Sequence, residues 1–344
     1  MKSDRPTIRD IAAMAGVSAG TVSRAMNGLP GVGADTRRRI SEIIAEQGFR
    51  VDATARQLST GRSNTLGVLF PLHASEVVMH PIYPELLGAL GDAAERAGYD
   101  ILLLTMSRDQ PAHVRDTVVR RRVDGVVMPA AGPRDPLLRQ LTDLGAPVVL
   151  IGHRSRLPSV GWVDCTHDTA AREVTRMMLD AGRRDLVLMN GPVHVSACKL
   201  RSAGFWAEVT EAGPAVASAR EVSVPFDTAA ATAEALTLLS GDSPPDAIVC
   251  ASDTIAAGVL DAARSLGLSV PDDLAVSGFD DSPFGALTQP TLTTVRMPLH
   301  DIGRAAAEML FAMIDQRPTS RRVVLPTEVV VRASTSPAFM PPAP

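Results

Sequence analysis

The chain has 344 residues, of which 45% are hydrophobic and 21% charged, so it is long enough for two or three domains with a large core. Its three widely spaced cysteines lack a CxxC pair, which argues against a disulfide framework or a zinc site and indicates a reducing compartment. The first residues lack the apolar run of a signal peptide, and no stretch reaches roughly 18 apolar residues. We therefore expect a cytoplasmic protein with no membrane partner.

The net charge of −4 is unevenly distributed along the chain. Residues 1–62 hold ten Lys and Arg against six Asp and Glu, a net charge of +4, which leaves −8 for the remainder. A basic segment joined to an acidic body is the electrostatic pattern of a nucleic-acid-binding protein. Without a motif the same charges would indicate only solvated surface, so the motif decides between these interpretations.

Residues 7–27 predict two short helices joined by a turn. Thr7 and Asp10 form a variant capping box at the start of the first helix, and Gly16 ends that helix. Ser18 is expected to cap the second helix. The outward face of the second helix is small and polar with a single arginine, and its residues are Ala19, Gly20, Ser23 and Arg24.

A third helix is predicted from Asp35 to Gln47, with Gly48 as its terminator. Three small helices, of which the second is polar and basic, are the arrangement that lays a recognition helix in the major groove of double-stranded DNA. The segment Gly16–Gly20 also matches the G-x-S-x-G pattern of a hydrolase nucleophile. That motif follows a strand, whereas a helix precedes it here, so the match carries little weight.

The N-terminal segment, residues 1–62, closely resembles the lactose/galactose repressor (LacI/GalR) family of bacterial transcriptional regulators. The resemblance lies in Ala15-Gly-Val-Ser18, in Thr21-Val-Ser-Arg24 with Asn27, and in Ala53-Thr-Ala-Arg-Gln-Leu58. It implies a helix-turn-helix domain at 1–50 and a hinge helix with linker at 51–63. The DNA-binding residues expected from the helices and the resemblance together are Thr7, Ser18, Ala19, Gly20, Thr21, Ser23, Arg24, Asn27, Thr36, Arg37, Ala55, Arg56 and Leu58.

The resemblance gives each hinge residue a role. Leu58 would wedge into the minor groove at the operator centre, Ala55 would lie between paired hinges, and Arg56 would make a flanking contact. A helix of about seven residues does not stand alone in water, which agrees with a hinge that folds on DNA. Val51 and Asp52 stand where the family usually has Pro and then Asn or Ser, but Asp is still a good helix N-cap.

Residues 64–336 predict alternating strands and helices of a doubly wound α/β body. Each predicted strand is a short aliphatic run of the kind buried on both faces of a parallel sheet. The strands are Leu66–Phe70, Ile101–Thr105, Gly125–Met128, Val148–Ile151, Leu186–Met189, Ala247–Cys250 and Leu274–Ser277. Helices between them include Glu85–Ala97, Thr169–Ala181 and Thr254–Leu266. Ligands in such sheets bind beyond the carboxyl ends of the strands.

The resemblance continues through the body to about residue 335. Its landmarks are Met189-Asn-Gly-Pro192, Ala203-Gly-Phe205, Ala251-Ser-Asp253, Gly278-Phe-Asp-Asp281 and Leu292-Thr-Thr-Val-Arg296. They imply a two-lobed sensor of the periplasmic-binding-protein type with an effector between the lobes. The first lobe would span about 64–161 and 293–323, the second about 162–292 and 324–335, and a tail would follow at 337–344.

Position by position, the resemblance implies an effector site built on an arginine and an aspartate. Arg201 and Asp280 match the family's pocket residues, Phe226 an aromatic that stacks on the effector, and His80 and Tyr83 lie in a segment near the cleft. Ser252 stands where Asn is usual, and Met297 where lactose sensors carry Gln, so the effector differs from a simple galactoside. Such a set suits a mono- or oligosaccharide. His167-Asp168, in contrast, favours a helix N-cap over a site.

Three functions are compatible with parts of this pattern. The first is a sequence-specific regulator, a repressor that binds a palindromic operator as a homodimer under control of a small-molecule effector. The second is a solute-binding component of sugar transport, against which the head and the missing signal peptide argue. The third is an α/β enzyme, but no nucleophile–base pair, metal spacing or P-loop is found, so neither a cofactor nor a metal is expected. The tail lacks a leucine heptad, which favours a dimer over a tetramer.

Overall fold

In a computed structural model the described residues are 6–26, 28, 30–49, 61–70, 74–105, 111–129 and 135–336. The chain divides between residues 63 and 64 into two compact units, here called the head and the body. The predicted hinge helix, with Ala55, Arg56 and Leu58, lies outside the described residues, as do Asn27 and the tail at 337–344. Among the described residues, no helix is long and apolar enough to cross a membrane.

The head contains the three predicted helices, α1 (Ile8–Met14), α2 (Ala19–Met26) and α3 (Ala34–Glu46). The capping box is present: the Thr7 backbone N–H donates to Asp10 at 2.7 Å, and the Asp10 N–H donates to the Thr7 hydroxyl. One buried aliphatic side chain from each helix, Ile11, Val22 and Ile40, forms the centre of a small core.

The described part of the body contains twelve strands and nine α-helices. The strands are β1 (Thr65–Phe70), β2 (Asp100–Thr105), β3 (Gly125–Pro129), β4 (Val148–Ile151), β5 (Val160–Cys165), β6 (Asp185–Asn190), β7 (Ser218–Ser223), β8 (Ala247–Cys250), β9 (Ala275–Ser277), β10 (Thr294–Arg296), β11 (Arg322–Leu325) and β12 (Glu328–Val330). The helices are α4 (Ala74–Met79), α5 (Tyr83–Arg96), α6 (Pro111–Val119), α7 (Pro136–Asp143), α8 (His167–Asp180), α9 (Ser196–Ala212), α10 (Thr228–Leu239), α11 (Asp253–Ser265) and α12 (Leu299–Ile314).

 The described part of the body also has the 3-10 helix Gly213–Ala215 and two isolated backbone bridges, Ser277–Thr293 and Asp280–Arg296.

The first lobe is built on a six-stranded parallel sheet in the order β11-β5-β4-β3-β1-β2. Helices α5 and α12 pack on one face around Leu90 and Leu310, while α6 and α7 cover the other face around Val114 and Leu141. The central strands are buried on both faces because helices cover both sides of the sheet. Their carboxyl ends therefore provide the one open edge on which a ligand can lie.

The second lobe is built on a four-stranded parallel sheet in the order β7-β6-β8-β9. Helices α10 and α11 cover one face, and α8 and α9 cover the other around Phe205. An antiparallel ribbon of β10 and β12 continues this sheet beside β9 through the two isolated bridges. The predicted fold, a helix-turn-helix head followed by a two-lobed doubly wound α/β body, is confirmed.

The chain crosses between the lobes three times, a few residues away from the predicted boundaries. Strand β5 pairs with β4 and β11 as far as Cys165, so the first crossing follows residue 165 rather than 161. Strand β10 pairs with β12, so the second crossing follows Arg296 rather than 292. Strand β11 belongs to the first sheet, so the third follows Leu325 rather than 323. Backbone pairing between strands determines where the chain crosses between the lobes, and the hydrophobic pattern of a single segment does not show which strands pair.

Candidate DNA-binding face and effector cleft

The exposed face of α2 carries small and polar side chains. The Ser18 hydroxyl caps the helix by accepting from the Thr21 N–H at 3.1 Å, and the two hydroxyls lie 2.9 Å apart. Gly20 and Arg24 are exposed, while Ala19 is half-buried. Because the helix carries almost no side-chain bulk at its start, its backbone can come close to a groove floor, and Arg24 is its one long hydrogen-bond donor.

Two of the predicted DNA contacts also have structural tasks within the head. Arg37 donates to the Ala25 carbonyl at 2.8 Å, which joins α3 to the last turn of α2. Thr7 is the N-cap of α1. Thr36 and Ser23 are half-buried. Their contacts with DNA stay predictions, and replacing Arg37 would loosen α2 as well as remove a positive charge.

In the body, the structure brings Arg201 and Asp280 together at the carboxyl edge of the second sheet. Both are buried, and the Arg201 Nη2 lies 3.8 Å from the Asp280 Oδ1, an ion pair too long for a hydrogen bond. The guanidinium lies over the Phe279 ring at 3.6 Å and donates to the Ala251 carbonyl. Its Nε is buried with no hydrogen-bond partner in the described part of the chain. The pair therefore keeps unused hydrogen-bonding capacity.

The backbone places Asp280 on this edge in an unusual conformation. Its φ is +117°, a region that residues with a Cβ rarely adopt, and its N–H donates to the Val295 carbonyl at 2.9 Å. Burial raises the pKa of the Asp280 carboxyl to about 8, although Arg201 opposes this shift. Burial that disfavours the charged carboxylate and so raises its pKa is typical of a ligand-binding or catalytic site.

His80 and Tyr83 form a second group, on the first lobe. Their rings are stacked with centroids 4.0 Å apart, and the Tyr83 ring also lies 4.7 Å from Phe70 at the end of β1. Burial lowers the pKa of His80 to about 4, so the imidazole is neutral at physiological pH. Its Nδ1 is buried and has no hydrogen-bond partner among the residues described. The predicted cleft residues thus lie in two groups, one on each lobe.

The structure gives Ser252 a different immediate role from the predicted one. Its hydroxyl is the N-cap of α11 and accepts from the Ile255 N–H at 3.2 Å. The cap uses one lone pair of this oxygen, which leaves the hydroxyl hydrogen and the second lone pair for a contact with an effector. Phe226 remains 37% exposed at the carboxyl end of the second sheet, as a stacking surface requires.

A buried polar cluster that was not predicted from the sequence lies at the first crossing. Asp164 near the end of β5 lies 3.1 Å from the Nε2 of His167, and Arg154 donates to the same carboxylate at 2.8 Å. Helix α8 begins at His167 with Thr166 as its N-cap, so His167 is not the cap that we predicted. The His167 Nδ1 lies 3.4 Å from the Arg201 Nη2. A histidine before an acidic residue at a helix start gives no sequence signal for this contact.

Asp164, Cys165 and His167 also bring three potential metal ligands within 4.8 Å of one another. The remaining contacts do not suit a cation, because the guanidinium groups of Arg154 and Arg201 reach the same cluster. Burial raises the pKa of the Cys165 thiol to about 12, so a metal would have to displace its proton. We interpret the cluster as an ion-pair network.

A further contact closes the cleft from one lobe to the other. The Nδ1 of His153, which follows β4, lies 2.6 Å from the hydroxyl of Ser196, the first residue of α9. Burial lowers the pKa of His153. The pair joins the carboxyl edge of the first sheet to a helix of the second lobe through one hydrogen bond.

Comparison with known proteins gives the family. The model for bacterial regulatory proteins of the lacI family matches residues 7–52, and the one for the periplasmic binding protein-like domain matches 175–335. The chain is 33% identical over 344 residues to the HTH-type transcriptional regulator MalR of Streptomyces coelicolor, with 96% of this chain and 97% of that protein covered. The chain belongs to the LacI family. This LacI-family protein is a DNA-binding transcriptional regulator and not an enzyme.

Other relatives and solved structures agree with this assignment. The LacI-family chain is 29% identical to the catabolite control protein A of Priestia megaterium, over 96% of this chain and 99% of that protein. A structure of the transcriptional regulator CelR in complex with cellobiose matches 96% of this chain and all of that one, with a TM-score of 0.75 and 28% identity. The lac repressor dimer bound to operator has the same fold, with a TM-score of 0.81 at 22% identity over 96% of this chain.

In this LacI-family chain the position of Phe226 depends on a glycine. A Cβ added to Gly191 would lie 2.5 Å from the Phe226 Cζ and 2.8 Å from the Cys198 Sγ. Gly191→Ala is therefore expected to displace the Phe226 ring and to lower the melting temperature, since overpacking costs typically about 1–3 kcal/mol. Thermal unfolding of the variant measures this. The Gly88→Ala control, where nothing lies within 4 Å of the added Cβ, should not be destabilised; equal melting temperatures for Gly191→Ala and the wild type would contradict the packing argument.

Proposed function

We propose that this chain is a cytoplasmic repressor that binds a palindromic operator as a homodimer and changes its operator affinity when a neutral sugar occupies the cleft. The observation that carries the sugar assignment is the buried pair of Arg201 and Asp280, 3.8 Å apart. A sugar hydroxyl can accept from the guanidinium and donate to the carboxyl at once, and vicinal hydroxyls match both groups. The proposed effector residues are His80, Tyr83, Arg201, Phe226, Ser252 and Asp280.

The polar groups of the cleft suit a ligand that carries hydroxyl groups. Arg154 is paired with Asp164, and the Asp280 carboxyl beside Arg201, whose pKa burial raises to about 8, can donate as well as accept a hydrogen bond when it is protonated. His80 is neutral, and its buried Nδ1 has no hydrogen-bond partner among the described residues. The exposed part of Phe226 supplies the apolar surface on which a sugar ring can lie. The cellobiose bound by the CelR relative belongs to the same chemical class.

A thermal-shift screen of the full chain tests the effector class. Cellobiose, maltose, lactose, ribose and a set of purines serve as probes, because a ligand present at about 100 times its Kd adds roughly 2.7 kcal/mol of stability. We expect at least one sugar to raise the melting temperature. A purine that raises it where no sugar does would overturn the sugar assignment.

A gel-shift experiment with palindromic operators selected in vitro tests the DNA-binding part. Specific binding of one duplex by a dimer is expected, and the probe sugar should change its affinity. A chain that binds the sugar but no DNA would instead fit a solute-binding component of a transport system. The roles of Asn27, Ala55, Arg56 and Leu58 at the operator rest on the sequence resemblance alone.

Arg24 is expected to carry the direct reading of bases, with the Ala19 methyl able to touch a thymine methyl. Arg24→Ala should weaken specific binding by about 1–3 kcal/mol and relax the preference at one base pair of each half-site. Fluorescence anisotropy against operators substituted at single positions measures both effects. Arg39→Ala, which removes an exposed arginine of α3, is the matched control and should weaken all sequences alike. An Arg24→Ala protein with wild-type selectivity would remove Arg24 from this role.

A further inference from the structure

His167 lies at the point where the chain first passes between the lobes. Asp164 belongs to β5 of the first lobe, and His167 is the first residue of α8 in the second lobe. Two residues, Cys165 and Thr166, separate them. Any rotation of one lobe against the other at this crossing changes the backbone between Asp164 and His167, and with it the placement of the two side chains.

The imidazole of His167 lies between a first-lobe acid and the effector-site arginine. Its Nε2 is 3.1 Å from the Asp164 Oδ1, and its Nδ1 is 3.4 Å from the Arg201 Nη2. The ring is 1% exposed and packs beside Phe279, at 5.6 Å between centroids. The Phe279 ring also carries the Arg201 guanidinium at 3.6 Å. His167 therefore contacts both the Arg201 guanidinium and the Phe279 ring on which that guanidinium lies.

The neighbouring charges determine which ring nitrogen carries the proton. Burial lowers the pKa of His167, and the hydrogen bond to Asp164 offsets only part of this shift. Burial opposes ionisation of Asp164, but its bonds with His167 and Arg154 lower its pKa below the ordinary value. The Asp164 Oδ1 at 3.1 Å from Nε2 favours the neutral imidazole with its proton on that nitrogen, while the Cys165 Sγ lies 3.5 Å from Nε2 and 3.8 Å from Nδ1. The Nδ1 lone pair then faces the Arg201 guanidinium, which has only donors, at 3.4 Å.

We propose that His167 is a positioning residue, which Asp164 holds in the Nε2–H form so that its Nδ1 fixes the Arg201 guanidinium in the cleft and makes effector affinity depend on the arrangement of the lobes. This rests on the proposed role of Arg201 in effector binding. Because Asp164 moves with the first lobe and Arg201 with the second, the imidazole connects lobe position to this guanidinium through polar contacts on both of its ring nitrogens. The guanidinium also contacts the Met297 Sδ, at the longer distance of 3.8 Å.

The protonation form of His167 can be tested on the full chain without any ligand. Nitrogen NMR of protein labelled at the histidine rings has seven rings to resolve, each with two nitrogen signals, and the two signals of His167 are those missing from a His167→Asn sample. We expect a neutral ring with the proton on Nε2 from pH 6 to pH 8. A ring protonated on Nδ1, or on both nitrogens, has no lone pair for Arg201 and would overturn the proposal.

Two matched variants test the positioning role. Asparagine places its side-chain oxygen near the position of Nδ1, whereas glutamine reaches the position of Nε2, so His167→Asn can keep the acceptor for Arg201 and His167→Gln keeps only the contact with Asp164. Cellobiose is the first probe and the other sugars of the panel follow. We expect the Kd of the probe to stay within about threefold of wild type in His167→Asn and to rise about tenfold or more in His167→Gln, the loss expected for one bond to a charged group.

The outcomes separate the inference from the function on which it rests. Equal sugar affinities for the two variants, at equal melting temperatures, would show that the acceptor at Nδ1 does not matter and would overturn the positioning role. If the wild type bound none of the sugars, the proposal that the effector is a sugar would be wrong. The protonation form of His167 would still show whether its Nδ1 can accept a hydrogen bond from Arg201. Sugar affinity that is kept in His167→Asn but lost in His167→Gln supports the positioning role. A residue needed only for packing would not distinguish asparagine from glutamine.

Discussion

Arg201→Ala is expected to abolish the response of this regulator to its effector, while ligand-free operator binding persists. The buried guanidinium supplies charge-assisted hydrogen bonds worth about 1.5–3 kcal/mol each, so losing it should weaken sugar binding by tenfold or more for every bond lost. By reciprocity, operator DNA changes sugar affinity in the wild type by the same factor as sugar changes operator affinity, typically about 5–150-fold. Titrating the sugar of the thermal screen into a labelled operator complex, followed by anisotropy, measures both.

A matched variant separates the loss of the site from a general loss of stability. Arg172 lies on α8 in the same lobe and pairs with the buried Glu208 and the exposed Glu211. Arg172→Ala should keep the effector response, since it removes an arginine without touching the Asp280 pair. If Arg201→Ala still responded at wild-type sugar concentrations, the effector site would have to lie elsewhere in the body.

The head and the sheet strands were the parts of the fold that sequence alone could predict. The capping box of Thr7 and Asp10 is a local signal, and the structure confirms it. All seven predicted strands are present, and each is an aliphatic run. The buried strand β5, with the sequence Val-Gly-Trp-Val-Asp-Cys, has no such run and was not predicted. Strand β7, with the sequence Ser-Ala-Arg-Glu-Val-Ser, was missed since an edge strand that is half exposed has no such run. Strands β10 and β12 are three residues each, too short to show a period.

The cleft was only partly predictable, and the reason is distance along the chain. Arg201 and Asp280 are identified by motifs that surround them, and the structure brings them together. The contact between His167 and Arg201 joins residues 34 positions apart and leaves no periodic pattern. Ser252 shows the opposite difficulty, since a serine after a buried strand predicts a ligand contact and a helix cap equally well. Only the direction of its hydroxyl, set by the first turn of α11, decides between them.

Asp280→Asn is expected to change how the stability of the body depends on pH. Burial raises the pKa of Asp280 to about 8 in the folded chain, against 3.8 as the ordinary value. Between these two values the folded state keeps a proton that the unfolded state has lost, so this group's contribution to stability is complete below about pH 4 and falls until about pH 8. The slope is at most about 1.4 kcal/mol per pH unit for one group. Asparagine cannot ionise and lacks this dependence.

The measurement is the melting temperature of each protein from pH 5 to pH 8, expressed as variant minus wild type. For Asp280→Asn the difference should become more positive by several degrees across this range, because only the wild type loses stability there. Asp281→Asn is the control: burial would raise the pKa of Asp281, but hydrogen bonds from Arg332 and Arg296 lower it. Its contribution is therefore already complete at pH 5, and its difference should stay constant. A constant difference for Asp280→Asn as well would mean that Asp280 is ionised throughout, which would remove the buried, protonated carboxyl from the proposed sugar site.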